Sequence, residues 1–338
     1  MLNRIALAGC GNVGTALLEI LYDKKDNLYE KFGFKFKVTM ITDLVKGTII
    51  DPDGLDLQKV LHAINTYNSF EGFTQFEGSF SEMLDASRAT MLAEATPTNL
   101  ETGEPGLSHI KTALAKGIHV TMTNKGPIAV AMDELQELAK KHNAKMRYEG
   151  VIMSGTPLVH MIQSGLAGCT IEKVEGILNG TTNVILTEME HGSSYDEALK
   201  KATELGYAEA DPSMDVHGWD SAVKISIIAL ILFDEKIPVD MIDREGITHI
   251  TEEKIKQAKE RGNKIKLISG IKYTQSGLHA YVAPMEIPLS HPLAGIDGAT
   301  NAVTLTTDNL GEVTLTGPGA GRKETGQALL ADLVAMAK

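Results

Sequence analysis

The run Gly9-Cys10-Gly11-Asn12-Val13-Gly14 stands between an apolar stretch, Arg4–Ala8, and a helical pattern over Thr15–Leu21. Each glycine of such a turn has its own physical task. The first permits a tight turn, the second lets the backbone approach a pyrophosphate, and the third allows close packing of the helix. The helix N-terminus then favours the phosphate charge. This spacing asks for a strand–turn–helix unit that holds a dinucleotide. Out of that context, a bare glycine turn would read the same way.

The following residues extend the unit into a sheet. Phe36–Thr42, Ala89–Ala93, Ile118–Met122 and Met146–Glu149 read as strands. His109–Lys116 has helical spacing closed by Gly117, a C-cap residue. Asp133–His142 opens on an N-cap candidate and ends in basic residues, as the helix dipole prefers. Strands alternating with helices over residues 1–150 predict an α/β, Rossmann-type, doubly wound parallel sheet. The second half changes character, with strands at Ile171–Leu178, Leu278–Pro284 and Ala302–Thr307 and helices at Tyr195–Leu205, Gly218–Phe233 and Thr251–Arg261. That mixture predicts an α+β domain over 151–311, an open sheet with helices on one face. Glu312–Thr316, the glycine turn Gly317–Gly321 and a last helix are expected to return to the first domain, which residues 312–338 would complete.

Composition narrows the partners. With 338 residues the chain can fill two domains, and 32 basic against 44 acidic residues leave a net charge of −12. Such a balance argues against nucleic acid or an anionic membrane as partner. Cys10 and Cys169 alone cannot build a disulfide framework or a cysteine-rich zinc site, and neither sits where a thioester-forming nucleophile would. The ten histidines show no metal-ligand spacing on a common helix face. The N-terminus lacks the long apolar core of a secretory signal, and Ile225–Phe233 is too short to span a bilayer. Cytoplasm is the default location.

Asp43 ends the second strand, where an acid accepts ribose hydroxyls and repels the extra phosphate of NADP. Lys46, three residues on, would instead pair with that phosphate. The cues conflict, so the reading leans to NAD with NADP open. Thr96, in ATPTN, and Lys125, in TNKG, both follow strands and so lie at the carboxyl edge where such sheets bind ligands. Gly319 and Gly321 would reach the cofactor from the returning segment, or simply turn into the last helix.

The segment Leu205–Lys224, LGYAEADPSMDVHGWDSAVK, carries Glu209, Asp211, Asp215 and Asp220 ahead of one lysine, Lys224. Asp220 and Lys224 are four apart, on one face of a helix begun near Gly218. A solvated acidic turn with a surface ion pair is the bland alternative. A lysine at the mouth of a buried helix, ringed by acids, can bind a zwitterion and also pass a proton. Lys224 is therefore the candidate proton donor and acceptor, with Asp220 orienting it. Asp211, before Pro212, reads as a turn former, and Asp215 as either a ligand or a helix cap.

This segment resembles the homoserine dehydrogenase pattern LGYAEADPxxDVxGxDxAxK. The resemblance extends to the glycine loop, TNKG, LNGTTN at Leu178–Asn183 and GPGAG at Gly317–Gly321, and so covers almost the whole chain. It implies reversible NAD(P)-dependent interconversion of L-homoserine and L-aspartate 4-semialdehyde by direct hydride transfer. It also implies a role in threonine, methionine and isoleucine synthesis from aspartate. It places Thr96 and Gly206 beside the nicotinamide and Lys125 toward cofactor and substrate. Glu209, Tyr207, Asp215 and Thr181 would form the substrate pocket. The EGVIMSGTP stretch corresponds to a segment whose backbone carbonyls hold a monovalent cation, sodium in the first instance, at Glu149, Ile152, Ser154 and Thr156. Ile152 and Met153 depart from the usual small residues there. A homodimer paired through the second domain is implied as well. Some members continue into a regulatory domain, which is not expected here. The rivals are a related amino-acid dehydrogenase without the Glu209/Asp220/Lys224 set, and a nucleotide-sensing protein that has lost turnover.

Overall fold

The computed structural model describes residues 2–275 and 277–337. Its two units are Met1–Val159 with Gly321–Lys338, and His160–Ala320.

In the first unit β1 (Leu2–Ala8) leads through the glycine loop into α1 (Asn12–Asp23), followed by α2 (Lys25–Phe32) and β2 (Lys35–Asp43). Next come β3 (Gly47–Ile50), α3 (Leu57–Tyr67), α4 (Phe80–Ser87), β4 (Met91–Glu94), α5 (Gly106–Ala115), β5 (His119–Met122), α6 (Lys125–Lys141) and β6 (Met146–Arg147). The sheet order is β3-β2-β1-β4-β5-β6. All its neighbours pair parallel except β2 with β3, an antiparallel hairpin at the edge. The order reverses at β1, so the carboxyl ends of β1, β2 and β4 face the crevice where open α/β sheets bind ligands.

Several details depart from the sequence expectations. Met146–Glu149 was expected as one strand, yet β6 stops at Arg147 and Glu149 opens a 3₁₀ turn, Glu149–Val151. Asp133 is not a helix start: α6 begins at Lys125, with Asn124 as its cap through Asn124 Oδ1 accepting from the Gly126 N–H at 3.0 Å. Pro127 is compatible because the first helical turn has no intrahelical use for that N–H. The backbone bends at Ala131, outside helical φ and ψ, so Asp133 lies after a kink and not at an end.

In the second unit the chain runs from a short turn, α7 (Leu158–His160), into β7 (Ile171–Ile177), α8 (Gly180–Glu190), α9 (Tyr195–Glu204), α10 (Ser213–Val216) and α11 (Trp219–Phe233). Then follow β8 (Asp243–Arg244), α12 (Glu252–Glu260), β9 (Asn263–Thr274), β10 (Gly277–Pro288), β11 (Thr300–Thr307) and β12 (Gly311–Pro318). The sheet order is β12-β11-β7-β9-β10-β8, antiparallel except for β10 with β8. Helices α8, α11 and α12 pack on its central strands. Because β12 pairs with β11 along its whole length, residues 312–318 belong to this sheet. The returning segment therefore begins at Gly321 instead of 312.

That segment, α13 (Arg322–Met336), buries Leu329, Leu330, Leu333 and Met336 against Ile5 and Leu7 of β1 and Leu17, Leu18 and Leu21 of α1. Each such side chain contributes roughly 1.5–3 kcal/mol when fully buried. Gly326 is needed where α13 crosses α1, since a Cβ there would stand 3.0 Å from the Leu17 nitrogen.

Candidate active site

In the first unit the glycine loop is tight where its spacing requires. A Cβ on Gly9, at φ +89°, would meet the Ala95 carbonyl oxygen at 2.5 Å, and one on Gly14 would meet the Gly9 oxygen at 2.1 Å. At Gly11 nothing lies within 4 Å. Gly11, Asn12 and Val13 are exposed or half-buried, and α1 opens with neither a side-chain cap nor an acid in its first turn. Its first N–H groups are therefore open to an anion. A pyrophosphate fits this loop.

Asp43, at the end of β2, holds the loop from the side. Its Oδ2 accepts from the Cys10 N–H at 2.9 Å, and its Oδ1 from Val45 and Lys46 at 3.0 and 3.1 Å. Burial raises its pKa, but those N–H groups and the Lys46 ammonium at 3.8 Å outweigh it, so the net shift is downward. A carboxylate at this edge keeps lone pairs for hydroxyl donors. Cys10 itself is buried, and burial lifts its thiol to about 11, as suits a packed side chain.

At the end of β4 the sheet edge carries a residue that sequence reasoning passed over. Glu94 is fully buried and accepts from the Thr96 N–H at 3.1 Å and from the Thr96 hydroxyl. Asn124, the cap of α6, donates to Thr96 Oγ1 and to the Pro97 carbonyl, both at 3.3 Å. The half-buried Lys125 has its N–H on Thr98 Oγ1 at 3.4 Å. The two loops after β4 and β5 are thus tied together. A lone acid ending the apolar run Met91–Ala93 was the available signal for Glu94.

Residues 149–156 form an irregular path: the 3₁₀ turn, a buried Ile152 and Met153, and Ser154 at φ +52°. Ser154 Oγ pairs with Thr325 Oγ1 at 2.7 Å and reaches the Gly321 carbonyl at 3.5 Å. Gly155 passes so near α13 that a Cβ would meet the Glu324 oxygen at 2.2 Å. The Glu149 carboxylate is engaged by the Val159 N–H at 2.9 Å, and the Thr156 carbonyl by that of Leu158 at 2.8 Å. Away from regular helix, successive carbonyls no longer point along one axis. An all-oxygen carbonyl set of this kind suits a hard monovalent cation. Gly321, at φ +134°, precedes α13 and sits beside this path.

In the second unit the acids and the lysine converge. Lys224, 8% exposed, places Nζ 2.8 Å from Asp220 Oδ2 and donates to the Leu178 carbonyl at 2.6 Å. That carbonyl also accepts from Asn301 Nδ2 at 2.8 Å. Asn179 Nδ2 donates to Asp215 Oδ1 at 2.6 Å and to Asp220 Oδ2 at 3.1 Å. Gly218, at φ +79°, turns the chain into α11 and puts Asp220 and Lys224 one turn apart at its start. Burial raises the pKa of Asp215. Hydrogen bonds from Asn179 and Thr181 oppose this, Asp220 reinforces it, Lys224 opposes it, and the net shift is upward.

Thr181 donates to the Tyr207 carbonyl at 2.7 Å, fastening the 205–214 loop to α8. Gly206 makes the left-handed turn of that loop, with open space where a Cβ would stand. The Tyr207 ring is half exposed, and Glu209 is exposed, with no hydrogen bond or ion pair among the described residues. Glu209 is therefore not joined to the Asp215–Asp220–Lys224 cluster. Asp211 accepts from the N–H and hydroxyl of Ser213, an Asx turn. Asn179 and Asn301 were missed. Asn179 lies inside the Leu178–Asn183 motif, but its carboxylate partners are far away along the chain.

The first unit carries a dinucleotide-type glycine loop and the second a lysine–carboxylate cluster, and the matches to known proteins make the chain an NAD(P)-dependent oxidoreductase acting on a CH–OH group. The homoserine dehydrogenase family model matches residues 157–334, and the model of the homoserine dehydrogenase NAD-binding domain matches residues 9–149. The chain belongs to the homoserine dehydrogenase family. It interconverts L-homoserine and L-aspartate 4-semialdehyde in the aspartate-derived amino-acid pathway, using NAD or NADP. An NAD(+)-dependent homoserine dehydrogenase of Pseudomonas canavaninivorans is 40% identical over 98% of this chain and 95% of its own length. A crystal structure from Archaeoglobus fulgidus under the same family name superposes with TM-score 0.87 at 34% identity, covering 99% of both chains. A hyperthermophilic archaeal homoserine dehydrogenase mutant in complex with NADPH does so with TM-score 0.83 at 29% identity, covering 100% of this chain and 98% of the other.

Proposed function

We propose that Lys224 is the group that takes the hydroxyl proton of homoserine and returns it in the reverse direction. The observation that carries this is the pairing of its Nζ with Asp220 Oδ2 at 2.8 Å in a nearly buried setting. Oxidising the alcohol removes a hydride from carbon and a proton from oxygen, and the nicotinamide, when bound, accepts the hydride. The proton passes to the lysine amine, and the anionic Asp220 beside it stabilises the ammonium so formed. In the opposite sense that ammonium protonates the oxygen as the carbonyl is reduced. Glu209 binds the substrate ammonium group from the exposed loop, with Tyr207, Asp215 and Thr181 shaping the rest of the pocket. Lys125 and Thr96 serve the nicotinamide end from their loops, with Gly206 and Gly321 where backbone must come close.

Asp43 favours NAD through the ribose hydroxyls, and its own contacts with Lys46 withdraw that lysine from a phosphate. The carbonyls of Glu149, Ile152, Ser154 and Thr156 hold a sodium ion. The chain acts as a homodimer paired through its second unit, as the resembled family does, so a solution mass of twice 36.4 kDa is expected. Among the described residues no helix is long and apolar enough to cross a membrane, and a cytoplasmic setting accords with that.

One assay tests these readings together: reduced-nicotinamide absorbance with homoserine and each cofactor, with sodium present or replaced by a bulky organic cation. Turnover with homoserine, a lower Michaelis constant for NAD, and loss of rate without sodium are expected. An NADP preference above about tenfold, equivalent to about 1.4 kcal/mol, would overturn the role of Asp43. A rate indifferent to the cation would remove the sodium ion from function.

A further inference from the structure

Asn179 is 5% exposed, and its amide has two unlike neighbourhoods. Its Oδ1 accepts from the Thr182 N–H at 2.9 Å and from the Thr182 hydroxyl at 2.9 Å, capping α8. A backbone N–H can only donate, so the amide atom facing it must be the oxygen. The Nδ2 group is then compelled to face the other way, where it meets Asp215 Oδ1 at 2.6 Å and Asp220 Oδ2 at 3.1 Å. The Asp220 oxygen is the same one that lies 2.8 Å from Lys224 Nζ. Two carboxylates around one amide repel each other, and a shared donor is what makes that arrangement tolerable.

We infer that Asn179 is a positioning residue for the reaction: its amide, locked by the helix cap, keeps Asp215 and Asp220 together and ionised beside Lys224. This rests on the reading of Lys224 as the proton-transferring group. The cap sets the orientation, the orientation sets the donors, and the donors fix the acid that partners the lysine. The charged groups acting on Asp215 are Asp220, which opposes its ionisation, and Lys224, which favours it. Thr181, whose hydroxyl donates to the Tyr207 carbonyl at 2.7 Å, also lies beside Asp215. The groups come from the start of α8, from α10 and from α11.

The test is the pH dependence of kcat/KM for homoserine oxidation in Asn179→Asp and Asn179→Ser, with Lys224→Ala measured alongside. Asp and Ser both retain a side-chain oxygen to cap α8, but neither carries an amide to donate. Asn179→Asp also places a third acid against the pair. The acidic limb of its profile is expected to move to higher pH by about one unit, and that of Asn179→Ser in the same direction by less. A merely structural role would lower the rate at every pH and leave the limb where it was. Acidic limbs coincident with the native one in the folded variants would therefore overturn the inference. Should Asn179→Asp fail to fold, Asn179→Ser decides alone by the same shift. Near-native turnover in Lys224→Ala would defeat the reading beneath. An inactive Lys224→Ala with unmoved Asn179 profiles would defeat only the positioning role.

Discussion

Glu209 and Lys224 differ sharply in exposure, and the two tasks proposed for them differ accordingly. Lys224 is nearly buried, held by a carboxylate and a carbonyl, so its position is set before any ligand arrives. Preorganisation of that kind serves a proton transfer. Glu209 is exposed on the 205–214 loop, where water reaches its carboxylate. A group of that kind contributes to affinity more than to the chemical step. Replacing Glu209 by Gln is therefore expected to raise the Michaelis constant for homoserine roughly ten- to a hundredfold, the value of one charge-assisted hydrogen bond of about 1.5–3 kcal/mol. A smaller change in kcat should accompany it in steady-state kinetics. If kcat fell and the Michaelis constant held, Glu209 would belong to the chemistry instead.

The strand–loop–helix element of β1 and α1 separates packing from ligand approach within six residues. A methyl on Gly14 would collide with the Gly9 carbonyl, whereas one on Gly11 would meet open space. Gly14→Ala is expected to cost about 1–3 kcal/mol of stability through forced displacement of the loop. Gly11→Ala should melt as the native protein does yet bind cofactor more weakly. Thermal denaturation and a fluorescence titration with reduced cofactor read the two effects, and equal melting of both variants would contradict the assignment. Elements are legible where a period or a punctuating residue marks them, as for β1, β2, β5 and the apolar stretch of α11 after Lys224. The edge hairpin β3 was not legible, since GTII has only four residues and gains its meaning from pairing with Met40–Asp43. The start of α6 was hidden by Pro127, which usually breaks a helix but is at ease in a first turn. Within the site, Lys224 and Asp220 were legible because i,i+4 spacing puts them on one helix face. Asn179 was not, because its two carboxylate partners lie 36 and 41 residues away along the chain.

At the scale of the whole molecule the labour is divided between units that each have their own sheet. The first binds a dinucleotide on a parallel sheet, and the second holds the acids and the lysine at the end of β7 and the start of α11. With a net charge of −12 the chain as a whole repels anions, which leaves the open N–H groups at the start of α1 as the local attraction for a cofactor phosphate. This division means that damage to Lys224, the proposed proton-transferring group, should leave cofactor binding intact. The most direct measurement is turnover and reduced-cofactor affinity in Lys224→Ala, with Lys224→Met as a control of similar length. Turnover is expected to fall by at least ~100-fold in both, the low end for loss of a general acid–base group, while cofactor affinity stays at the native value. Turnover near the native rate in either variant would contradict the account.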